Sequence, residues 1–219
     1  MTTATLNPYL EEFLKFQELQ REPGIQRAPP PLDHLHARCE ASPSARSALT
    51  RYKAFMSGNT PFLAATLARE VLVRLYSWAV PDDAALITIA AQGPVVEIGA
   101  GNGYWASLLR QRGVTVHAYD RAPWVNLHTE VLVGEARRAA DHPEATLLLC
   151  WPPYVLPMAA QALAAYQGDT VVYIGEGQGG CTADDAFHAQ LAAQWRLVVE
   201  QEIPRWDGWH DHLWVYQRQ

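Results

Sequence analysis

The sequence predicts an α/β protein, a mostly parallel sheet with an antiparallel C-terminal strand, preceded by an N-terminal helical segment. Three observations carry that prediction. After Gly93 short runs rich in β-branched residues alternate with helical runs, the pattern of a parallel sheet covered on both faces. The first of these strands runs directly into a cluster of glycines, and the last two are joined by Pro204-Arg205-Trp206-Asp207-Gly208-Trp209, too short for a crossover helix, so they pair antiparallel. The chain divides accordingly into residues 1–90, a helical lid or appendage, and residues 91–219, the sheet domain.

Taken in order, Tyr9, Leu10, Phe13, Leu14, Phe16 and Leu19 place an amphipathic helix over residues 7–20, which Pro23-Gly24 stops. Residues 25–44, with Pro29-Pro30-Pro31 and Ser42-Pro43, read as an irregular or short-helical connection and a candidate mobile lid. A second helix begins within residues 44–50, and a stronger one covers 61–78, where Phe62, Leu63, Leu67, Val71, Leu72 and Leu75 form an apolar stripe. A short helix over 82–91 precedes the sheet. Strands are expected at 95–98, 114–119, 130–133, 146–150, 170–174, 196–203 and 212–217, and helices at 104–111, 157–166 and 182–195.

With 219 residues, 49% hydrophobic and 18% charged, the chain is long enough to bury a full core. Its net charge of -6 disfavours nucleic acid as a partner, because neutralising a phosphate backbone takes a clustered excess of Lys and Arg. Cys39, Cys150 and Cys181 show neither paired nor zinc-ligand spacing, so a reducing, cytoplasmic setting without a structural metal is expected. The first residues lack a leader pattern, and no apolar run reaches the roughly 18 to 20 residues of a membrane span, so no membrane association is expected.

Gly99-Ala100-Gly101-Asn102-Gly103 lies between a strand and a helix, where glycines let the backbone approach a ligand and aim its amides at it. Asp120 ends the second strand 21 positions beyond Gly99, where a carboxylate can accept from both hydroxyls of a ribose. The glycine spacing excludes a nicotinamide-dependent oxidoreductase, whose fingerprint sets the third glycine one residue later.

From Val95-Val96-Glu97-Ile98 through the glycines to Tyr104-Trp105, the sequence resembles the class I, Rossmann-like methyltransferases that use S-adenosylmethionine, over about residues 93–219. The resemblance implies that Gly99, Ala100, Gly101 and Gly103 underlie the methionine and ribose. It also implies that Asp120 holds the ribose hydroxyls and that Glu97 supports the loop and the methionine amino group. Glu135 and Ala136, after the third strand, would frame adenine through a carboxylate and a backbone amide. Residues 121–129, containing Pro123, are short for the helix that follows the second strand in that family.

The fourth strand ends in Cys150-Trp151-Pro152-Pro153-Tyr154 at the ligand-binding edge. This resembles the Pro-Pro-Tyr element of amino-group methyltransferases, with Trp151 replacing the polar residue that accepts from the target amine. An amine acceptor, held by the Pro152 carbonyl, the Tyr154 face and a cation–π contact with Trp151, stands beside a plainer reading as a rigid aromatic wall. For a hydroxyl acceptor, His128, Glu176, His210 and His212 are candidate bases, Glu176 best placed after the fifth strand. Catalytic roles are therefore expected of Glu176, Tyr154 and Trp151, with Trp151 also against the cofactor. Tyr104, Trp105, Trp206 and Trp209 are candidates for the cavity wall, and Tyr9, Arg51, Tyr52 and Tyr76-Ser77-Trp78 for the covering helices, Arg51 as a partner for the methionine carboxylate. The expected function is methyl transfer from S-adenosylmethionine to a small molecule. A nucleic-acid amino-group methyltransferase and an inactive cofactor-binding partner subunit are the alternatives.

Overall fold

Four consecutive buried residues, Val95–Ile98, form the central strand β1; a strand covered on both faces reads as a continuous apolar run, interrupted here only by Glu97. In this computed structural model, which describes residues 7–21, 29–55 and 61–219, β1 lies between β2 (Val116–Asp120) and β4 (Thr146–Cys150), parallel to both. β3 (Leu132–Val133) extends the sheet beyond β2, and β5 (Thr170–Gly175) beyond β4, again in parallel. β7 (His212–Arg218) runs antiparallel between β5 and β6 (Trp195–Glu202), so the order is β3-β2-β1-β4-β5-β7-β6. The connections diverge between β1 and β4, which opens a crevice at the C-terminal ends of these strands.

The helices are α1 (Pro8–Arg21), α2 (His36–Glu40), α3 (Pro43–Phe55), α4 (Pro61–Leu75), α5 (Asp83–Ala90), α6 (Tyr104–Gln111), α7 (Met158–Ala165) and α8 (Asp185–Gln194). Asp82 and Asp184 start α5 and α8 by accepting the Ala85 and Phe187 amides at 2.7 and 2.8 Å. α4 stops at Leu75, short of Trp78, where Ser77 turns to donate to the Ala79 carbonyl. The described part of the proline-rich connection is packed: it contains a short 3-10 turn, Asp33–Leu35, and α2, and it buries Leu32, Leu35 and Cys39. Residues 25–28 of that connection lie outside the described residues, as do the side chains of Leu19 and Phe62.

Alternate residues of each strand face opposite sides, which gives two cores. Val95, Leu148 and Val172 join Tyr9, Phe13, Tyr76 and Trp206 in one cluster, so the N-terminal helices cover this face of the sheet. Val96, Leu147, Leu163 and Phe187 form the other. None of the described helices is long and apolar enough to cross a membrane.

Candidate functional site

At the end of β1 the backbone passes three times through left-handed conformations, with φ of 80°, 58° and 72° at Gly99, Gly101 and Gly103, a region that penalises any residue with a Cβ. A Cβ on Gly99 would stand 2.8 Å from Met158 Cε, and one on Gly103 would stand 2.7 Å from Val131 Cγ2. Two amides anchor the turn: Gly99 and Ala100 both donate to the Tyr119 carbonyl, at 2.8 and 3.0 Å. Asp120 clasps it from β2, its Oδ2 accepting the Gly101 amide and its Oδ1 the Ala122 amide, each at 2.8 Å. Each carboxylate oxygen keeps a further lone pair.

Residues 121–130 form a strap in place of a helix. The Trp124 and His128 amides donate to the Gly101 and Asn102 carbonyls at 3.1 and 2.9 Å, and His128 Nε2 donates to the Leu75 carbonyl at 2.7 Å. The glycine loop is thereby tied to the end of α4.

Beneath the loop lies Glu97, 2% exposed, whose Oε2 has no hydrogen-bond partner. Burial lifts its pKa to about 8; the Arg110 charge and the Ala106 amide oppose the rise, and Asp120 adds to it. A buried carboxyl with an open oxygen is costly unless something else satisfies it.

A cavity of about 740 Å³ runs along these strand ends. Glu97, Gly99, Ala100, Gly101, Asp120, Glu135, Ala136 and Trp151 all line it, whereas Gly103 stands behind the wall as the residue that starts α6. Tyr104, Trp105, Ser77, Trp78 and Tyr154 are also in the wall, with Trp124, Cys150, Met158 and Cys181, which the sequence did not single out for the site.

At the far end, Trp151 takes a φ of 51° and directs its indole N–H to Asp211 Oδ1 at 2.8 Å. Its ring stacks on Trp78 at 5.0 Å and 10°, and leans on Trp209 at 5.2 Å. Burial raises Asp211 to a pKa of about 6, against the pull of the Trp151 hydrogen bond and the Arg69 charge. Arg69, on α4, completes this corner, its guanidinium 4.0 Å from the Trp209 ring centre. Neither Arg69 nor the role of Asp211 carried a local sequence signal; the one hint was an aromatic residue where a polar one was expected.

The structure gives Glu176 a different task from the proton acceptor expected of it. Its Oε2 accepts the Cys181 amide at 2.8 Å and its Oε1 the His210 amide at 3.0 Å, and it lies outside the cavity wall. Burial raises its carboxyl, but these amides overcome the rise and hold it below the ordinary value, the wrong direction for a base. The Pro152 carbonyl is likewise engaged, accepting the Ala183 amide at 2.8 Å. His128, His210 and His212 do not line the cavity.

Arg51 pairs with Glu70 at 2.6 Å on the surface and does not line the cavity. Tyr52 donates to the Pro30 carbonyl, and Tyr9 and Trp206 are buried against each other's elements. Among the described residues, His117, His142 and Glu144 bring three ligand-type atoms within 4.8 Å of one another; the two imidazoles stack at 3.9 Å, and His142 Nε2 is also within 2.9 Å of the Tyr119 hydroxyl.

No sequence-family profile matches the chain, and no curated protein matches it. Solved structures do. An O-methyltransferase from neocarzinostatin biosynthesis, in complex with S-adenosylmethionine and 2-hydroxy-5-methyl naphthoic acid, superposes with a TM-score of 0.50 at 16% identity, over 96% of this chain and 69% of that one. The chain has the class I methyltransferase fold. Within that fold also lie the Synechocystis magnesium protoporphyrin IX methyltransferase with S-adenosylhomocysteine (TM-score 0.47, 10% identity, 85% of this chain, 100% of that one) and a Burkholderia thailandensis 1,6-didemethyltoxoflavin-N1-methyltransferase (0.43, 18%, 88% and 92%). In a methyltransferase fold, a cavity at the ends of β1, β2 and β4 is where the sheet itself opens.

Proposed function

We propose that this chain transfers the methyl group of S-adenosylmethionine to a small-molecule acceptor. The observation that carries the reading is the unpartnered Glu97 Oε2, buried in the wall of a cavity whose adjoining loop is three left-handed glycines clasped by an acid from β2. That donor and acceptor set fits the cofactor: Glu97 accepts from its ammonium group, and Gly99, Ala100 and Gly101 let the backbone close on it. Asp120 uses its remaining lone pairs for the ribose hydroxyls, Glu135 and the Ala136 amide meet adenine, and Gly103 fixes the start of α6.

In the transfer, a lone pair of the acceptor attacks the methyl carbon as the carbon–sulfur bond breaks and its electrons pass to sulfur; the acceptor's proton leaves to solvent or to a nearby base. Alignment supplies much of the acceleration of such a displacement. Trp151 and Tyr154 take the acceptor's faces, and Glu176 acts as a positioning residue by latching the segments of Cys181 and His210. Residues 1–90 cover the acceptor side of the 91–219 cofactor domain. The small molecule bound with S-adenosylmethionine in the neocarzinostatin enzyme is in keeping with this reading, as is the net charge of -6.

S-adenosylmethionine and S-adenosylhomocysteine are expected to raise the melting temperature, with about 2.7 kcal/mol of stabilisation at a hundredfold excess over Kd. NAD is expected to leave it unchanged. Calorimetry showing tight NAD binding with no response to either adenosyl compound overturns the reading.

A further inference from the structure

We infer that the methyl acceptor is an uncharged, planar aromatic molecule, held on the β4 side of the cavity by apolar burial without an ionic contact. The inference rests on the methyltransferase reading above and names the substrate class of that same cavity.

The charged residues of the cavity wall stand on one side. Glu97, Asp120, Arg121 and Glu135 come from β1 and from the ends of β2 and β3, where the glycine loop also lies. The other side is built from Trp151, Tyr154, Val155, Leu156 and Met158, which follow β4, and from Trp78, which stacks on Trp151. Among the described residues lining this second side, none carries a carboxylate, guanidinium, ammonium or imidazole. Arg69 and Asp211 pack against the Trp151 ring but do not line the cavity. Met158 reaches back to within 2.8 Å of where a Cβ on Gly99 would sit, so the apolar side adjoins the cofactor loop.

This side offers a flat apolar surface that is open to a ligand. Tyr154, Val155 and Leu156 are consecutive, line the cavity and are 44%, 85% and 42% exposed, a run of apolar surface that a bound ring would take from water. Trp151 is held at a φ of 51°, a costly conformation for a bulky residue, by its hydrogen bond to Asp211 and its stack on Trp78. Those contacts fix the ring, and a rigid aromatic wall selects a planar frame over a bulky one. A charged acceptor entering here loses its water and meets no counter-charge, which costs far more than burying a neutral ring.

The same wall narrows the reacting group. Cys150 and Cys181 also line the cavity, and burial keeps both thiols protonated, pushing Cys181 up to about 12 with help from Glu176 and Cys150 well above its ordinary value. Neither is a base at neutral pH. The acceptor atom therefore attacks with a lone pair it already holds, as an aromatic hydroxyl or ring nitrogen does. The new bond forms to the methyl carbon, the carbon–sulfur electrons pass to sulfur, and the acceptor's proton passes to water.

The test uses the full chain saturated with S-adenosylhomocysteine and compares naphthol, naphthoate and naphthylmethylammonium by calorimetry. Naphthol is expected to bind about tenfold or more tighter than either ion, which must shed its water unpaired. Leu156→Asp puts a carboxylate on the apolar side at a half-exposed position. It is expected to weaken naphthol and to raise naphthylmethylammonium above naphthoate, with S-adenosylhomocysteine affinity unchanged. Should Leu156→Asp not fold, the three ligands on the unchanged protein decide alone. Either ion binding as tightly as naphthol, none of the three binding with S-adenosylhomocysteine in place, or affinities that Leu156→Asp leaves as they were, overturns the inference and leaves the methyltransferase reading standing; failure to bind S-adenosylhomocysteine sinks both.

Discussion

Glu97 keeps its proton over a range where an exposed glutamate has lost it, because burial lifts its pKa from 4.5 to about 8. Below pH 4.5 folded and unfolded chains both hold the proton, and the acid costs the fold nothing. Between 4.5 and about 8 the unfolded chain releases it and the folded chain does not, so stability falls as pH rises, until the whole cost is felt above 8. At about 1.4 kcal/mol per pKa unit that cost is on the order of 3 to 5 kcal/mol. Glu97→Gln is therefore expected to melt progressively above the parent protein as pH rises over this window. A bound ammonium group favours the ionised form, so S-adenosylhomocysteine affinity should rise toward pH 8 in the parent and be weak and flat in Glu97→Gln. Parallel melting curves for the two proteins across this range argue against a buried, protonated Glu97. That Glu97 and Asp120 reach the cavity was legible because each is placed by its strand, Glu97 within β1 and Asp120 at the end of β2. Arg69 on α4, Trp151 just after β4 and Asp211 just before β7 meet in space, and contacts 60 positions apart, such as that of Trp151 with Asp211, leave no local trace. The position of Glu176 was legible too, but its orientation depends on a loop that folds back to offer it two amides.

The strand, turn and helix from β1 through α6 are where sequence and structure agree to the residue, 95–98 and 104–111, because glycine conformations and strand burial are local properties. The proline-rich connection was harder, since its helical turns are held by Leu32, Leu35 and Cys39 reaching a core that no local pattern reveals. Gly103→Ala tests the element as a unit. Its φ of 72° and the 2.7 Å approach of a Cβ to Val131 Cγ2 require both backbone strain and displacement of the segment just before β3. A loss of about 1 to 3 kcal/mol is expected, together with weaker binding of S-adenosylhomocysteine. Gly113→Ala is the control: at φ 80° it is strained in the same way, but a Cβ there meets nothing within 4 Å. Denaturant unfolding that ranks the Gly113 variant as the less stable, or that finds cofactor affinity untouched in the Gly103 variant, contradicts this account of the loop.

At the scale of the whole molecule, the change of texture near residue 90 in the sequence is crossed by an apolar cluster that runs from Tyr9 to Val215. Tyr9 is the joint: it is fully buried, stacks on Tyr76 at 5.2 Å and accepts the Trp206 indole N–H at 3.2 Å. Tyr9→Phe removes that acceptor and leaves a buried donor open, a loss of about 1 to 3 kcal/mol. Both proteins are expected to unfold in one step, with near- and far-ultraviolet dichroism superimposing, because the helices and the sheet share a core. Separate transitions for the two signals, or a Tyr9→Phe variant as stable as the parent, count against a shared core.

The stacked indoles in the cavity wall have a practical corollary. Trp78 and Trp151 lie 5.0 Å apart and within 10° of parallel, close enough to share an electronic excitation, and the Arg69 charge stands over both. A molecule that slides against Trp151 alters that shared excitation directly. Under the proposed function, acceptor occupancy is therefore expected to be readable as a change in intrinsic emission without any label attached.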